Sequence, residues 1–307
     1  MSAKRNPGHE AWRQHGFAVA HRWLIARRAA QAGFFLLFAT GPWLGVWITK
    51  GTLASSLTLG VLPLTDPLIL LQSLVARHPL GTTALIGGAI VLVSYLLLGG
   101  RLYCSWVCPI NPVTDLAAWT RRKLGIETDW KVKPETRLWL LVAVIAASAA
   151  SGTIAFELVN PITTLHRGLL FGVSWGLVTV LAIFLVDVFV ARHGWCGHLC
   201  PVGAFYGLLN HGAMVRVSAR GRVRCDDCMD CYAVCPEMHV ISPALKGERS
   251  GAGPVILAAD CTACGRCIDV CPERVFRFAH RFDTRLDPPS TTTTARPASM
   301  TAATAAE

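Results

Sequence analysis

Charged side chains are scarce in this chain. Asp, Glu, Lys and Arg make up 16% of its 307 residues, while hydrophobic residues make up 52% and the mean hydropathy is +0.44. Soluble domains carry about 25% charged residues. The deficit argues against an ordinary soluble enzyme and favours a membrane protein.

A recognisable nucleic-acid-binding motif is also missing, although the formal net charge is +10. The basic residues lie beside apolar runs, where positive charge is typical of membrane topology. We therefore expect contact with a lipid bilayer and no nucleic-acid partner.

No cysteine lies outside a motif, so thiol chemistry rather than packing explains the positions of all 12. Two runs, beginning at Cys225 and Cys261, have the spacing C-x2-C-x2-C-x3-C-P that binds [4Fe-4S] clusters. In such pairs the fourth cysteine of each run serves the other cluster. The predicted ligands are Cys225, Cys228, Cys231 and Cys271 for cluster 1, and Cys261, Cys264, Cys267 and Cys235 for cluster 2.

A zinc ribbon is the alternative, since two C-x2-C pairs also bind zinc. It would leave the third cysteine and the Cys-Pro of each run without a role. A disulfide framework fits less well, because closely spaced free thiols suit a reducing compartment.

Four apolar runs of about 20 residues predict an α-helical membrane protein with a small α+β ferredoxin domain of the bacterial 2x[4Fe-4S] type. A cleaved signal peptide is less consistent with the first run, which is too long and has no clear cleavage site. The predicted segments are a basic amino terminus at 1–28, a membrane domain at 29–215 with spans at about 29–49, 79–100, 138–156 and 168–191, a ferredoxin domain at 216–282, and a disordered tail at 283–307.

The basic residues predict the orientation of a multi-pass membrane protein. Lys and Arg number six before the first run, two in the next loop, seven in the middle loop and one in the third. Both termini and the ferredoxin domain are therefore predicted to be cytoplasmic. The tripeptides Pro63-Leu64-Thr65 and Pro161-Ile162-Thr163 suggest two repeated halves, each followed by a C-x3-C-P motif.

The C-x3-C-P motifs place a second set of cysteines near the ends of predicted spans. Three interpretations stay open: structural thiols, a shared metal or cluster site or docking point for a cluster-bearing partner, and thiol-disulfide or copper chemistry. The four cysteines are Cys104, Cys108, Cys196 and Cys200.

Quinol oxidation needs a proton acceptor beside an apolar slot. Near the predicted external side, the candidates are Asp66, His78, Glu157 and His166. Asp187 and His193 are further candidates near the end of the last span.

The order of these motifs resembles the NapH family, the ferredoxin-type subunits of periplasmic nitrate reductase systems, and the related MauN proteins. The text from Trp47 to Leu68 also resembles the first external loop of NapH. The resemblance implies an electron-transfer component of a quinol dehydrogenase, located in the bacterial inner membrane and containing two [4Fe-4S] clusters. It also implies a NapG-type periplasmic ferredoxin as partner, with a NapC-type cytochrome and a cytoplasmic ferredoxin-type partner as further candidates.

Two other functions are consistent with the motifs. A MauN-like protein could assist maturation of a periplasmic redox enzyme. A cupric reductase of the CcoG type shares the C-x3-C-P motif, but carries an additional carboxy-terminal domain for which residues 283–307 leave no room.

Overall fold

The computed structural model describes residues 6–126, 130, 133, 135–172 and 176–288, and most of these residues are helical. The helices are α1 His9–His15, α2 Phe17–Ala20, α3 Arg22–Leu44, α4 Pro67–Val75, α5 Thr82–Leu98, α6 Leu102–Trp106, α7 Ile110–Leu124, α8 Thr136–Ser151, α9 Pro161–Phe171, α10 Gly176–Phe189, α11 Pro201–Leu209, α12 Asp230–Val234, α13 Ile241–Lys246 and α14 Arg266–Asp269. The strands are β1 Thr49–Gly51, β2 Ser55–Thr58, β3 Leu62–Thr65, β4 Val215–Ser218 and β5 Arg277–His280.

Helices α4 and α9 begin in the same way. Asp66 caps α4 by accepting a hydrogen bond from the Leu68 backbone N–H at 2.8 Å, and proline follows it at the first helical position. Asn160 caps α9 identically through Ile162 at 3.1 Å, again with proline next. A short polar cap followed by proline satisfies the first helical N–H groups and presets the backbone. The two halves therefore correspond at these caps: Pro67, rather than Pro63, is the counterpart of Pro161.

The helical body has a large apolar core, to which both halves contribute. Side chains from α4, α7, α8, α9, α10 and α11 pack together there. Its buried members are Leu68, Tyr103, Cys108, Ile110, Leu141, Phe156, Ile162, Val180, Ile183, Cys200, Val202, Ala204 and Tyr206.

A three-stranded antiparallel sheet, in the order β1-β2-β3, lies in the segment expected to be an external loop. Strand β3 packs on α5 so closely that an added Cβ at Gly87 would lie 3.0 Å from the Pro63 carbonyl carbon. The sheet leads directly into the Asp66 cap, and so it positions that carboxylate.

The ferredoxin segment is closed by its two ends. Strands β4 and β5 pair antiparallel, with Val215 opposite His280 and Ser218 opposite Arg277. Val217, Ile241, Ile256, Val275 and Phe276 fill the core beneath the ladder.

The predicted membrane spans are not found. Among the described residues, no helix is both long enough and apolar enough to cross a bilayer. Helices α5, α8 and α10 have 17, 16 and 14 residues, and at about 1.5 Å per residue they fall short of a core of about 30 Å. Helix α3 has 23 residues, but Arg22, Arg27 and Arg28 lie within it. The predicted four-span fold class is wrong, and the multi-pass location deduced from it is not supported.

The predicted tail lies largely outside the described residues. Its first part, 283–288, is described and remains attached to the ferredoxin domain. Asp283 pairs with Arg220 at 3.3 Å, and Asp287 pairs with Arg224 at 3.3 Å.

Candidate iron-sulfur site

The two ferredoxin runs fold into loops of the same shape. In the first run Asp227 and Met229 have positive φ angles of 57° and 63°; in the second, the equivalent Ala263 and Gly265 have 45° and 74°. Alternating left-handed residues turn successive backbone N–H groups toward one concave side, a conformation that binds anions. The same conformation in both runs is the local geometry that a thiolate-ligated cluster needs.

The first cavity contains the thiols predicted for cluster 1. Cys225, Cys228 and Cys231 from the first run line it together with Cys271 from the second, and Leu245, Val275 and Phe276 complete its apolar wall. Burial, followed by the three neighbouring thiols, raises the pKa of Cys231 to about 12. Iron would replace the protons that these thiols otherwise hold.

The second cavity contains the thiols predicted for cluster 2. Cys261, Cys264 and Cys267 line it with Cys235, so the crossed grouping of the two runs recurs. Arg266 Nη1 lies 3.7 Å from Cys264 Sγ. Burial raises the pKa of Cys264, but the charges of Arg266 and Arg27 outweigh burial and leave it below its usual range.

The arrangement fits a cluster better than a single ion. Within the ranges described above, no three Cys, His, Asp or Glu side chains lie close enough to share one metal ion. The thiols instead surround two cavities, each with four cysteines and a mainly apolar wall. Eight thiols in two sets of four match the ligand demand of two [4Fe-4S] clusters. Their assignment as ligands stays a prediction.

A buried group of charges joins the second cavity to the helical body. Arg101 and Arg137 contact the same carboxylate oxygen of Glu237, at 3.0 and 3.1 Å, and both also pair with Asp260. Glu237 follows Cys235-Pro236, and Asp260 directly precedes Cys261. We call these four residues the charge bridge.

A second ionic contact lies on the opposite side of this cavity. Asp115 of α7 pairs with Arg266 of α14 and with Arg28 of α3, and it lies 3.6 Å from Arg27. Burial opposes ionisation, but these arginines hold the pKa of Asp115 well below its usual range. The ferredoxin segment is thus held to α3 and α7 by buried charge as well as by packing.

The four C-x3-C-P cysteines come together from both halves of the chain. Cys108 and Cys200 belong to the same buried core, and Cys104 packs against it. Burial and then the thiols of the other motif, with Asp187 and Cys200 also contributing, raise the pKa of Cys196 well above its usual range. We call this group the C-x3-C-P site.

Asp66 is the predicted quinol residue with the most suitable surroundings. Its carboxylate lies at the wall of a mainly apolar cavity of about 290 Å³, together with Tyr95, Tyr103 and Tyr206. The Tyr206 hydroxyl donates to Asp66 Oδ2 at 3.4 Å. Burial raises the pKa of Asp66 to about 6, against the Leu68 and Ile69 backbone N–H groups, which lower it.

The other quinol candidates are not gathered around this cavity. His78 is exposed beyond the end of α4. Glu157 accepts a hydrogen bond from Asn160 Nδ2 at 3.0 Å and is near enough to contribute to the raised pKa of Asp66. His166 is buried against Phe35 and Phe38, with ring centroids 6.2 and 5.0 Å away.

The remaining candidates, Asp187 and His193, lie near the C-x3-C-P site and cluster 2 rather than near Asp66. Asp187 Oδ1 accepts from the Trp195 backbone N–H at 3.0 Å, and burial raises its pKa to about 7. His193 is buried, and burial, followed by the charge of Arg266, lowers its pKa to about 3.

The charge bridge and Asp115 were missed by the sequence reasoning, which counted Arg101 and Arg137 only as loop charges. A usable signal existed, because Glu237 and Asp260 directly flank predicted ligand segments in a chain with few charges. A carboxylate beside a cluster ligand that is not itself a ligand needs a cationic partner when it is buried.

Known families match the chain at these sites. Residues 80–127 and 172–221 each match the family described as "4Fe-4S binding domain", and residues 224–275 match the "4Fe-4S dicluster domain". The methylamine utilization ferredoxin-type protein MauN of Paracoccus denitrificans (strain Pd 1222) is 52% identical over 273 residues, which are 89% of this chain and 95% of that protein. The ferredoxin-type protein NapH of Escherichia coli (strain K12) is 46% identical over 280 residues, 91% and 96% of the two chains.

The chain belongs to the NapH/MauN family of ferredoxin-type proteins. This confirms the resemblance inferred from the motifs. NapH of Haemophilus influenzae (strain ATCC 51907 / DSM 11121 / KW20 / Rd) is also 45% identical over 282 residues, 92% of this chain and 98% of that protein. No solved structure matches the chain. As a NapH/MauN protein with iron-sulfur domains, the chain has an electron-transfer role.

Proposed function

We propose that this NapH/MauN protein accepts electrons from a quinol and passes them through two [4Fe-4S] clusters to a redox partner. The observation that carries the proposal is the apolar cavity with Asp66 and Tyr206 at its wall. Tyr103 also lines it and directly precedes Cys104, so the cavity adjoins the cysteine-rich part of the chain.

Asp66 is the proposed proton acceptor. Oxidation of a quinol to a quinone releases two protons and two electrons. A carboxylate with a pKa of about 6 is mostly ionised at neutral pH, and can still take a proton from a bound quinol hydroxyl. Glu157, whose charge acts on Asp66, is the proposed acceptor of the second proton.

The cysteines and nearby arginines prepare the electron-transfer sites. A bound [4Fe-4S] cluster supplies one-electron chemistry. Cys225, Cys228, Cys231 and Cys271 would hold one cluster, and Cys235, Cys261, Cys264 and Cys267 the other. Arg266 holds positive charge beside Cys264, which favours the more negatively charged reduced state of that site.

A NapG-type periplasmic ferredoxin and, through it, periplasmic nitrate reductase are the proposed acceptors. The support is the 45–46% identity with NapH proteins over at least 91% of the chain. A NapC-type cytochrome and a cytoplasmic ferredoxin-type protein are further proposed partners. The MauN relative, at 52% identity, favours a second candidate function: the chain acts in a methylamine utilization system, as an electron donor or a maturation factor.

The test is anaerobic mixing of the purified protein with menadiol, a small soluble quinol, while the loss of cluster absorbance is followed. We expect wild type to be reduced, and Asp66→Asn to be reduced at least about tenfold more slowly, because the proton acceptor is gone. Dithionite should reduce both proteins equally.

His78→Ala serves as the control, since His78 is exposed and does not line the cavity. Reduction of Asp66→Asn by menadiol at the wild-type rate would exclude this cavity as the quinol site. Copurification with a NapG-type ferredoxin that becomes reduced by the chain would support the nitrate branch. If the chain instead reduces only partners from the methylamine system, the second candidate is correct.

A further inference from the structure

We propose that the two C-x3-C-P motifs together hold a third iron-sulfur cluster, with each half of the chain supplying two thiolates. The ligands are Cys104, Cys108, Cys196 and Cys200. The site is built only when the two repeats pack against each other.

Thiols of both motifs lie in one region of the molecule, where Cys108 and Cys200 belong to the same core and Cys104 packs against it. Cys104 and Cys108 both act electrostatically on Cys196. Burial and then the charge of Cys104 raise the pKa of Cys200. Burial is also the largest cause of the raised pKa of Cys108, to which Cys200 contributes. Cys196 Sγ also lies 3.9 Å from Thr114 Oγ1, on the helix that follows the first motif. Four thiols from two distant segments therefore share one buried region.

The Cys-Pro of each motif has the local geometry of the ferredoxin ligands. The backbone N–H groups of Ile110 and Asn111 are directed at Cys108, and they oppose the effect of burial on its pKa. Those of Val202 and Gly203 do the same for Cys200.

The predicted ferredoxin ligands have a similar backbone environment. The backbone N–H two residues later lowers the pKa of each thiol, Glu237 for Cys235 and Glu273 for Cys271, and the Val275 N–H donates to Cys271 Sγ at 3.4 Å. The backbone angles agree as well: φ and ψ are −74° and 114° at Cys200, and −74° and 128° at Cys235. Backbone N–H groups directed at sulfur stabilise a thiolate and tune a cluster.

Arg101 completes the surroundings and indicates what the site connects. Burial keeps the pKa of Cys104 above its usual range, and the nearby charge of Arg101 opposes that effect. The same guanidinium donates to the carbonyl oxygens of Cys196, at 3.3 Å, and of Asp260, at 2.7 Å, next to Cys261. Tyr103, on the other side of Cys104, lines the apolar cavity. The C-x3-C-P site therefore lies between that cavity and the cluster 2 cysteines.

The family matches make a shared site the economical solution. Each half matches the "4Fe-4S binding domain" family separately, at 80–127 and 172–221. Each half has only two cysteines, whereas a [4Fe-4S] cluster takes four thiolates. Two copies in one chain provide a complete set.

The first test counts iron and acid-labile sulfide in the full chain as isolated under anaerobic conditions. Three clusters require about 12 iron and about 12 sulfide per chain, whereas two require about eight of each. We expect about 12, with no more than traces of zinc or copper. Mössbauer spectra of protein grown on 57Fe should assign all of the iron to [4Fe-4S] clusters.

The second test asks whether the site is shared. Cys104→Ala and Cys200→Ala should each lose about four iron, and the double variant should lose about four rather than about eight. Cys228→Ala is the matched control, because Cys228 belongs to a different predicted site. The Cys104→Ala/Cys228→Ala double variant should lose about eight iron per chain. EPR signals of the ferredoxin clusters should persist in Cys104→Ala and Cys200→Ala, which shows that these variants fold.

Three results would overturn the proposal. About eight iron in wild type, with four additional thiols that react with a maleimide in denaturant, would leave the C-x3-C-P cysteines free. Stoichiometric zinc or copper that disappears in Cys104→Ala would assign a single metal ion there. Iron losses that add in the Cys104→Ala/Cys200→Ala variant would mean separate sites. These results leave the menadiol test of the proposed function unaffected, so the two proposals fail separately.

Discussion

Arg101 Nη1 lies 3.0 Å from Glu237 Oε1, and the two side chains are only 2% and 4% exposed. This ion pair connects the residue that precedes the first C-x3-C-P helix with the residue that follows Cys235-Pro236. Arg137 contacts the same carboxylate oxygen at 3.1 Å, so one glutamate bridges two buried arginines. The relative position of the ferredoxin segment and the helical body depends on that carboxylate.

Glu237→Gln should therefore be strongly destabilising. Two buried guanidinium groups would keep only Asp260 as an anionic partner, and breaking a buried pair costs about 3–5 kcal/mol. The measurement is the midpoint of urea unfolding of the holoprotein, followed by circular dichroism and by cluster absorbance. Glu248→Gln is the matched control, because that side chain is 67% exposed and 4.0 Å from Arg222, and its midpoint should stay near wild type. Equal effects of the two substitutions would contradict a structural role for the charge bridge.

The charges beside Cys264 should shift the reduction potential of the predicted cluster 2, and removing Arg266 or Asp115 should shift it in opposite directions. Arg266→Met removes a cation near the predicted cluster 2, which disfavours the reduced state and should lower its potential by on the order of 60 mV. Asp115→Asn removes the anion that pairs with Arg266 and should raise the potential. An EPR-monitored redox titration measures both, and the signal of the other cluster is the internal control. Shifts of the same sign in the two variants would contradict the electrostatic account.

The ferredoxin cysteines illustrate what could be predicted from local spacing. Cys225, Cys228 and Cys231 lie close together in the sequence, and the crossed fourth cysteine follows a general rule for paired runs. That grouping recurs in the two cavities. The meeting of Cys104 with Cys200 depends instead on how two distant halves pack, and for that reason the sequence left three interpretations open.

Charge and hydropathy were less informative. Arg101 and Arg137 were counted as exposed loop charges, yet both are buried in ion pairs with residues more than 90 positions away. Apolar runs such as 168–191 were interpreted as single spans, but α9 ends at Phe171 and α10 begins at Gly176. Composition along a run does not determine where a helix ends, because caps such as Asn160-Pro161 and glycines such as Gly172 decide that locally.

Gly265→Ala should abolish the second cluster. Gly265 has a φ of 74°, and an added Cβ would lie 2.7 Å from Trp23 Cβ and Cγ. The change would push the Cys264 loop away from α3, and about four iron per chain should be lost. Gly33→Ala is the control, since a Cβ there would meet nothing within 4 Å and alanine favours the helix by about 0.5–1 kcal/mol. Iron analysis distinguishes the outcomes, and full iron content in Gly265→Ala would contradict the tight loop.

The buried Asp66 carboxyl should make stability depend on pH in a predictable direction. Its pKa is raised from 3.8 to about 6, so the folded protein binds a proton more tightly than the unfolded chain. The stabilisation is fully present below the unfolded value and is lost as pH rises through about 6. Wild type should therefore lose stability relative to Asp66→Asn between about pH 4 and 6, with a constant difference above that range. Thermal unfolding of both proteins across this range measures the difference, and parallel curves would contradict the raised pKa.

The rate of reduction by menadiol should depend on the same ionisation of Asp66, but it should rise with pH where stability falls. Only the ionised Asp66 accepts a proton, so the wild-type rate should rise about tenfold per pH unit below about 6 and level off above it. Asp66→Asn should be slow and independent of pH in that range, because asparagine does not titrate. The hydrogen bond from Tyr206 to Asp66 Oδ2 lowers the pKa of Asp66, so Tyr206→Phe should raise that pKa. The rate profile of this variant should therefore move to higher pH and keep its plateau. Stopped-flow absorbance with a common quinol concentration gives the three profiles. A wild-type profile without an inflection near pH 6, or one unchanged in Asp66→Asn, would assign the proton acceptor to a different residue.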